Sequence, residues 1–541
     1  MLTARASRVG PALLCALGLF HSCTGSRQNA PAGALRVGAT LGRGTAGTPA
    51  AATPQVARAP RAPPAMEHAV PAALVDETAN ARLPANRREG SVREYANANR
   101  PVPFRTPEGV EGWKISLGGR PLATPAVVDG AVYVGGGFGS HEFYAFDSVT
   151  GATRWAVTVS DDGPTAAVVR DGLVAFNTES CTLFVVEART GRSVWSRWLG
   201  DPLMSQPAVA DGQVFMAFPS PGGHRLVAFS LREGTEQWRV PLNGDLISAP
   251  VVHGDSVYAA TFDGTIYRYR RSDGALGWRE NYRATSAPWL HEGEVFVAHR
   301  VDAPAAVPSG GRPFLGPLFF LHALFPQVES VGRLSTQAPM AAGSDRVDYR
   351  ARPAPWLNPT VQRRSGYSTQ QHDSDTSVGF ANAPATARTA EAEANVGQGT
   401  VRGLWEYQGS RPMVIDGRMF ITQGDQLVAM EPGTGRELWT RPLQGLLAEH
   451  GGHLASPPSA AGGRLFLATV TGDILVVSQT DGQVQSTLRL GHPMRFQPAV
   501  VGGRLYVGTA DGQLIMLDLR DPTADGWTQW GGGPSHNGPE A

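Results

Sequence analysis

The sequence predicts an all-β protein, an eight-bladed β-propeller of four-stranded antiparallel blades, and three observations carry that expectation. Eight two-residue turns recur between short apolar runs: Asp129-Gly130, Asp171-Gly172, Asp211-Gly212, His253-Gly254, Glu292-Gly293, Asp416-Gly417, Gly462-Gly463 and Gly502-Gly503. All are read with glycine second, where a hairpin turn often needs the positive φ that glycine takes without steric cost. Consecutive glycines stand 39 to 46 residues apart, except for one gap of 124. In phase with the turns, a glycine, three residues and a tryptophan recur as Gly109/Trp113, Gly151/Trp155, Gly191/Trp195, Gly234/Trp238, Gly274/Trp278 and Gly435/Trp439. The apolar residues between them fall in short runs suited to strands.

Taken in chain order, the N-terminus reads as an export signal over residues 1–23. Arg5 and Arg8 precede an apolar run, Val9 to Phe20, too short to span a bilayer. Ser22-Cys23 ends it, a small residue before a cysteine that is similar to a bacterial lipoprotein processing site, although Phe20 and His21 depart from the usual residues there. Cys23 is the candidate lipid attachment; simple cleavage and secretion is the alternative. Residues 24–105 are rich in Ala, Pro, Gly, Asn and Arg without hydrophobic period, which reads as a disordered tether. About 80 flexible residues give a reach on the order of 50 Å.

The propeller is expected over 106–530. Its unit runs from SQPAVADGQVFMAF through RLVAFS to LREGTEQW: strands A, B and C, then a strand D carrying the tryptophan. Blades of this kind must stack radially to bury both faces. The tryptophans Trp113, Trp155, Trp195, Trp238, Trp278 and Trp439 are expected to fill the outer gaps between them. The 124-residue gap reads as an insertion in blade five, over 326–400, with PLFFLHAL as strand C and Trp405 on the resumed strand D. Blade seven carries Ser486 where the tryptophan belongs. EGWKISL around Trp113 is expected to close the ring beside the last blade, with Gly526 to Trp530 as a rival. Residues 531–541 form a C-terminal tail, and GWTQWGGGPSHNG is expected to pack on the outside of the ring.

The segments AFDSVTGATRW, VVEARTGRSVW and AMEPGTGRELW resemble the pyrrolo-quinoline-quinone (PQQ) repeat. That resemblance covers about residues 105 to 300 and 405 to 530. It implies either of two activities, that of quinoprotein dehydrogenases or that of the propeller subunit of the outer-membrane assembly machinery, because one fold hosts both. An assembly-type lipoprotein is the nearer resemblance.

Function is expected on the axial face, where the loops joining strand D of one blade to strand A of the next converge. Those loops carry Arg120, Asp162, Asp201, Asp245, Arg283, Arg411, His453, His492 and Arg495, mixed in sign and read as a partner surface. No Cys-Cys pair stands in the sequence, and no Asp, Glu and Asn cluster suits Ca²⁺, so neither cofactor nor metal is expected. Acidic and basic residues balance at 47 each, which favours neither nucleic acid nor an anionic membrane. The membrane enters only through a lipid at Cys23. The expectation is a monomeric, non-catalytic propeller that binds envelope proteins, at the periplasmic side of the outer membrane, at the cell surface, or secreted. A quinone-dependent or degenerate dehydrogenase and a carbohydrate-binding propeller are the alternatives; the latter rests on Trp289 and Tyr407 as exposed aromatics.

Overall fold

The computed structural model describes residues 90–539, apart from 180, 201–204, 221–222, 302–327, 338–346, 350–351, 355–356, 358–391, 399–400 and 451. The signal segment, Cys23, most of the tether and Asp201 lie outside the described residues. Eight antiparallel sheets follow one another along the chain. Blade three shows the unit: strands Ala208–Ala210, Gln213–Ser220, Gly223–Ser230 and Glu236–Leu242, adjacent in sheet and sequence. Strand A is only three residues long and lies innermost, where the blades converge.

The A–B turns explain why these hairpins form. In seven of them both turn residues take positive φ, as at Asp129 (50°) and Gly130 (69°), which matches the twist of the flanking strands. Blade four differs. Its pairing of His253 with Ser256 makes the turn Gly254-Asp255, with the glycine first at φ 57°. The sequence reading was one residue out there, because Gly254 is bounded by two residues that both suit a turn.

Closure follows the first of the two expected routes. Glu111–Ser116 pairs antiparallel with Gln513–Asp518, placing Trp113 opposite Met516. The tether boundary is corrected, since its last residues are ordered strands. Val92–Glu94 adds to the outer edge of blade one and Val102–Arg105 to the outer edge of blade eight. The backbone groups on those edges supply the partners that the segment's composition could not supply itself.

The tryptophans recur in one geometry. The indole N–H of Trp113, Trp155, Trp195, Trp238, Trp278 and Trp439 donates to a carbonyl in the next blade, at Val149, Ala188, Leu231, Arg271, Thr336 and Gln479 respectively, over 2.7–3.2 Å. Blade five departs from the sequence reading. Its strand C is Val328–Ser335, inside the segment expected to be insertion, while PLFFLHAL lies outside the described residues. Its outer edge is two short strands, Val347–Asp348 and Arg352–Pro353. Tyr349 stands in for the tryptophan, donating from its hydroxyl to Pro432 O and packing against Gly435. Trp405 is therefore not an outer inter-blade residue. It lies on the helix Val401–Glu406.

Candidate interaction face and central channel

The short A strands set what the channel offers. Each pairs with strand B through its last residue at the turn, so the middle residue points its N–H the other way, toward the axis. A buried N–H without a partner is costly. The expected outer tail supplies the partners instead, and this overturns its placement outside the ring. Trp527 and Trp530 are 0% and 1% exposed, and His536 is buried. The segment folds back on itself through Thr528 N to Gly532 O and Gly538 N to Gly531 O, lying inside the ring.

The tail is anchored by Arg411, another residue the sequence placed on the axial surface. Arg411 is buried, with its guanidinium 5.2 Å from the Trp289 ring and 4.7 Å from the Trp530 ring. It donates to Pro288 O at 2.8 Å and to His536 O. Burial lowers its pKa to about 9, which leaves it charged at neutral pH. Aromatic faces and carbonyl dipoles hold the cation. A long, permanently charged side chain reads as surface in a sequence, and only the surrounding indoles make an interior site for it.

The opposite, D–A face is capped by the end of the connection from blade five to blade six, around the helix Val401–Glu406. Trp405 packs among Ala123, Phe138, Ala166 and Phe496, which belong to blades one, two and eight. Tyr407 reaches back to blades four and five: its hydroxyl donates to Thr285 O at 2.8 Å and its carbonyl accepts from Ser248 Oγ. The Gln408 side chain accepts from Gln497 N, and Glu406 lies 3.6 Å from Arg495. This stretch therefore bridges opposite sides of the axial mouth.

The remaining loop residues separate into groups. Arg120 is half-buried and donates to Phe138 O beside Glu179, whose carboxylate accepts from Gly139 N. Desolvation, reinforced by Asp162, pushes the Glu179 pKa up to about 8. Asp161 next to it accepts from Thr178 and Thr182 hydroxyls at 2.7 and 2.6 Å. Asp245 lies 2.8 Å from His224, and His492 lies 2.7 Å from Asp511. Arg283 takes φ 56° where its backbone crosses Gly264. His453 approaches Ser410 at 3.4 Å, and burial together with Arg495 lowers its pKa to about 4.

Two buried carboxylates were not singled out in the sequence. Glu179 sits in NTESCT, and Glu329 is wholly buried on strand C of blade five, accepting from Thr285 Oγ1 at 2.6 Å with its pKa raised to about 7 by desolvation. Neither carries a local motif. The residues at the axial mouth do not fit a quinone with Ca²⁺: Trp405 and Tyr407 occupy the space, and among the described residues no three His, Cys, Asp or Glu side chains are placed to share a metal ion. Trp289 and Tyr407, expected as exposed sugar-binding aromatics, are 3% and 5% exposed and cannot stack on a ligand in solution.

Repeat, closing strand and inter-blade indoles together define an eight-bladed propeller of PQQ-like repeats. A family profile described as outer membrane protein assembly factor BamB matches residues 89–303 and 385–531, and the chain belongs to that family. BamB of Burkholderia pseudomallei is 30% identical over 160 residues, 28% of this chain and 40% of that protein. BamB of Yersinia pestis is 24% identical over 186 residues, 31% of this chain and 46% of that protein. The chain thus spans less than half the length of these relatives in the matches. Among solved structures, BamB from Moraxella catarrhalis superposes with a TM-score of 0.47 at 12% identity, covering 73% of this chain and 96% of that one. Quinohemoprotein alcohol dehydrogenase from Comamonas testosteroni gives 0.47 at 14% identity, covering 76% of each.

Proposed function

We propose that this chain is a non-catalytic envelope protein that serves outer membrane protein assembly as a protein-binding scaffold, tethered through Cys23. The observation that carries this reading is the occupied axis. The cap fills the mouth of the D–A face and the tail fills the channel inside the ring, which leaves the outward loops for contact. Membership of the assembly-factor family supports the same reading. Arg120, Asp162, Asp245, Arg283, His492 and Arg495 border that face. Arg411 is withdrawn from it by burial.

The test places a photo-crosslinking residue at Arg283 or His492 in the full chain and captures adducts from intact envelopes. Adducts to one or a few envelope proteins, lost when the crosslinker is moved to the A–B turn at Asp211, are expected. Equal labelling from both faces, together with a thermal shift on adding quinone and Ca²⁺, would favour the dehydrogenase reading instead. Intact mass of the envelope-extracted protein reports acylation at Cys23.

A further inference from the structure

The tail contacts the ring in an order that no packing of an ordinary terminus requires. Val500 of blade eight donates its N–H to Trp527 O at 2.8 Å, and Val127 of blade one to Thr528 O at 2.7 Å. Val169 of blade two donates to the Gln529 side-chain oxygen at 3.0 Å. Val209 of blade three and Val252 of blade four donate to Pro534 O and Ser535 O, each at 2.9 Å. Leu290 of blade five donates to the Asn537 side-chain oxygen at 2.8 Å, and the Asn537 amide returns a bond to Leu290 O at 3.0 Å. Each donor is the middle residue of its A strand. Advancing along the tail therefore advances round the ring, through blades eight, one, two, three, four and five; Arg411, leading into blade six, holds His536 O, one residue before the blade-five contact.

Side chains add selectivity to this backbone recognition. The Trp527 ring lies parallel to that of Trp289, 6.4 Å away. Both His536 ring nitrogens face carbonyl oxygens, Trp530 O at 2.9 Å and Pro207 O at 2.7 Å. A Cβ at Gly531 would come within 2.8 Å of His536 O, and one at Gly532 within 2.3 Å of the Gly538 backbone, so only glycine fits those places.

The attachment to the ring is also of the kind a ligand makes. The tail joins the ring through one isolated bridge, Val500 to Trp527, and single hydrogen bonds in place of a continuous ladder. The indole N–H groups of Trp527 and Trp530 are buried without an acceptor, so neither makes the hydrogen bond that the inter-blade indoles make. The link to the last strand, which ends at Asp518, passes through the exposed residues Pro522 and Thr523.

We propose that the central channel is a peptide-binding site, formed by the inward N–H groups of the A strands together with Arg411 and Trp289, whose ligand is this chain's own C-terminal segment. The recognised chemistry is an aromatic- and glycine-rich peptide of the form Trp-x-Gln-Trp-Gly-Gly followed by His-Asn-Gly, bound through its carbonyls. The ring then binds that segment even when the covalent link is cut.

A protease site inserted between Pro522 and Thr523 in the full chain allows the folded protein to be cut at that link. The released fragment is expected to co-purify with the ring and to exchange with a fluorescent synthetic peptide of residues 524–541. Peptides carrying Trp530→Ala, His536→Ala or Gly531→Ala are expected to compete at least about tenfold more weakly. In a second arm, the uncut chain with Trp530→Ala and His536→Ala takes up the wild-type peptide, whereas the uncut wild-type chain, already filled, does not. Failure of both the cut ring and the uncut variant to bind peptide would overturn the proposal. So would loss of the cooperative unfolding transition on cutting and in the variant, because the tail would then be part of the core and not its ligand.

Discussion

Trp155 shows at the residue scale how one side chain joins two blades. It is 4% exposed, and its indole donates to Ala188 O of the next blade while its ring covers Gly191. Trp155→Ala removes both the packing and the bond, and an expected loss of about 3–5 kcal/mol is read from denaturant midpoints. Tyr349 makes the same two contacts with a smaller ring. Tyr349→Phe keeps the packing and loses only the bond to Pro432 O, so the expected cost is about 1 kcal/mol. The six tryptophans were legible from spacing because each follows a glycine at a fixed interval. Tyr349 was hidden because the irregular segment around it breaks the phase, and Trp405 was misread because it is the first tryptophan where the phase resumes.

At the scale of the element, the glycines of the blades fall into two kinds whose surroundings the sequence does not show. Gly212 in an A–B turn has φ 73° and open space around its missing Cβ. Gly435 in a C–D turn has φ 70°, but a Cβ there would lie 1.9 Å from the Tyr349 ring. Gly212→Ala is expected to cost about 1–2 kcal/mol, the left-handed backbone term alone. Gly435→Ala is expected to cost more, because the inter-blade contact must also open, and thermal unfolding of the pair separates the two terms. Equal shifts would mean that the ring of Tyr349 yields without loss. The hairpins themselves were readable because a two-residue turn is a local event. The one-residue difference in blade four arose because register is decided by pairing with strand B, which a turn dipeptide alone does not specify.

Across the whole molecule, buried ionisable groups make stability depend on pH in opposing directions. Glu179 titrates at about 8 when folded, against an ordinary 4.5, so between those values the folded protein holds a proton that the unfolded chain has released. Stability therefore falls as pH rises through that window, and the penalty is complete above it. Glu329, raised to about 7, acts in the same sense. His453 and His536, lowered to about 4 from 6.5, act in reverse: their contribution is present above 6.5 and is lost on acidification toward 4. Glu179→Gln keeps the acceptor for Gly139 N and removes the titration. The variant is expected to gain melting temperature over wild type at about pH 8, with little difference at about pH 5. A pH-independent difference would assign the effect to packing.

The A–B hairpins, apart from the register of blade four, and the phased tryptophans were determined by the sequence itself, because each rests on a local turn or a short repeat. The Trp113 latch was legible as a strand D left unmatched before the first hairpin, although its partner Gln513–Asp518 lies at the far end of the chain. The axial face was only half legible. Loop membership placed Arg120, Asp245, Arg283 and His492 near it, but composition could not show that Arg411 would be buried between Trp289 and Trp530. Nor could it place residues 527–538 inside the ring, since their partners are backbone N–H groups of six blades spread from Val127 to Val500. Those donors converge only once the ring has closed. The occupant of the channel was thus decided by tertiary structure, because a site built from evenly spaced backbone groups leaves no motif in any one segment of the chain.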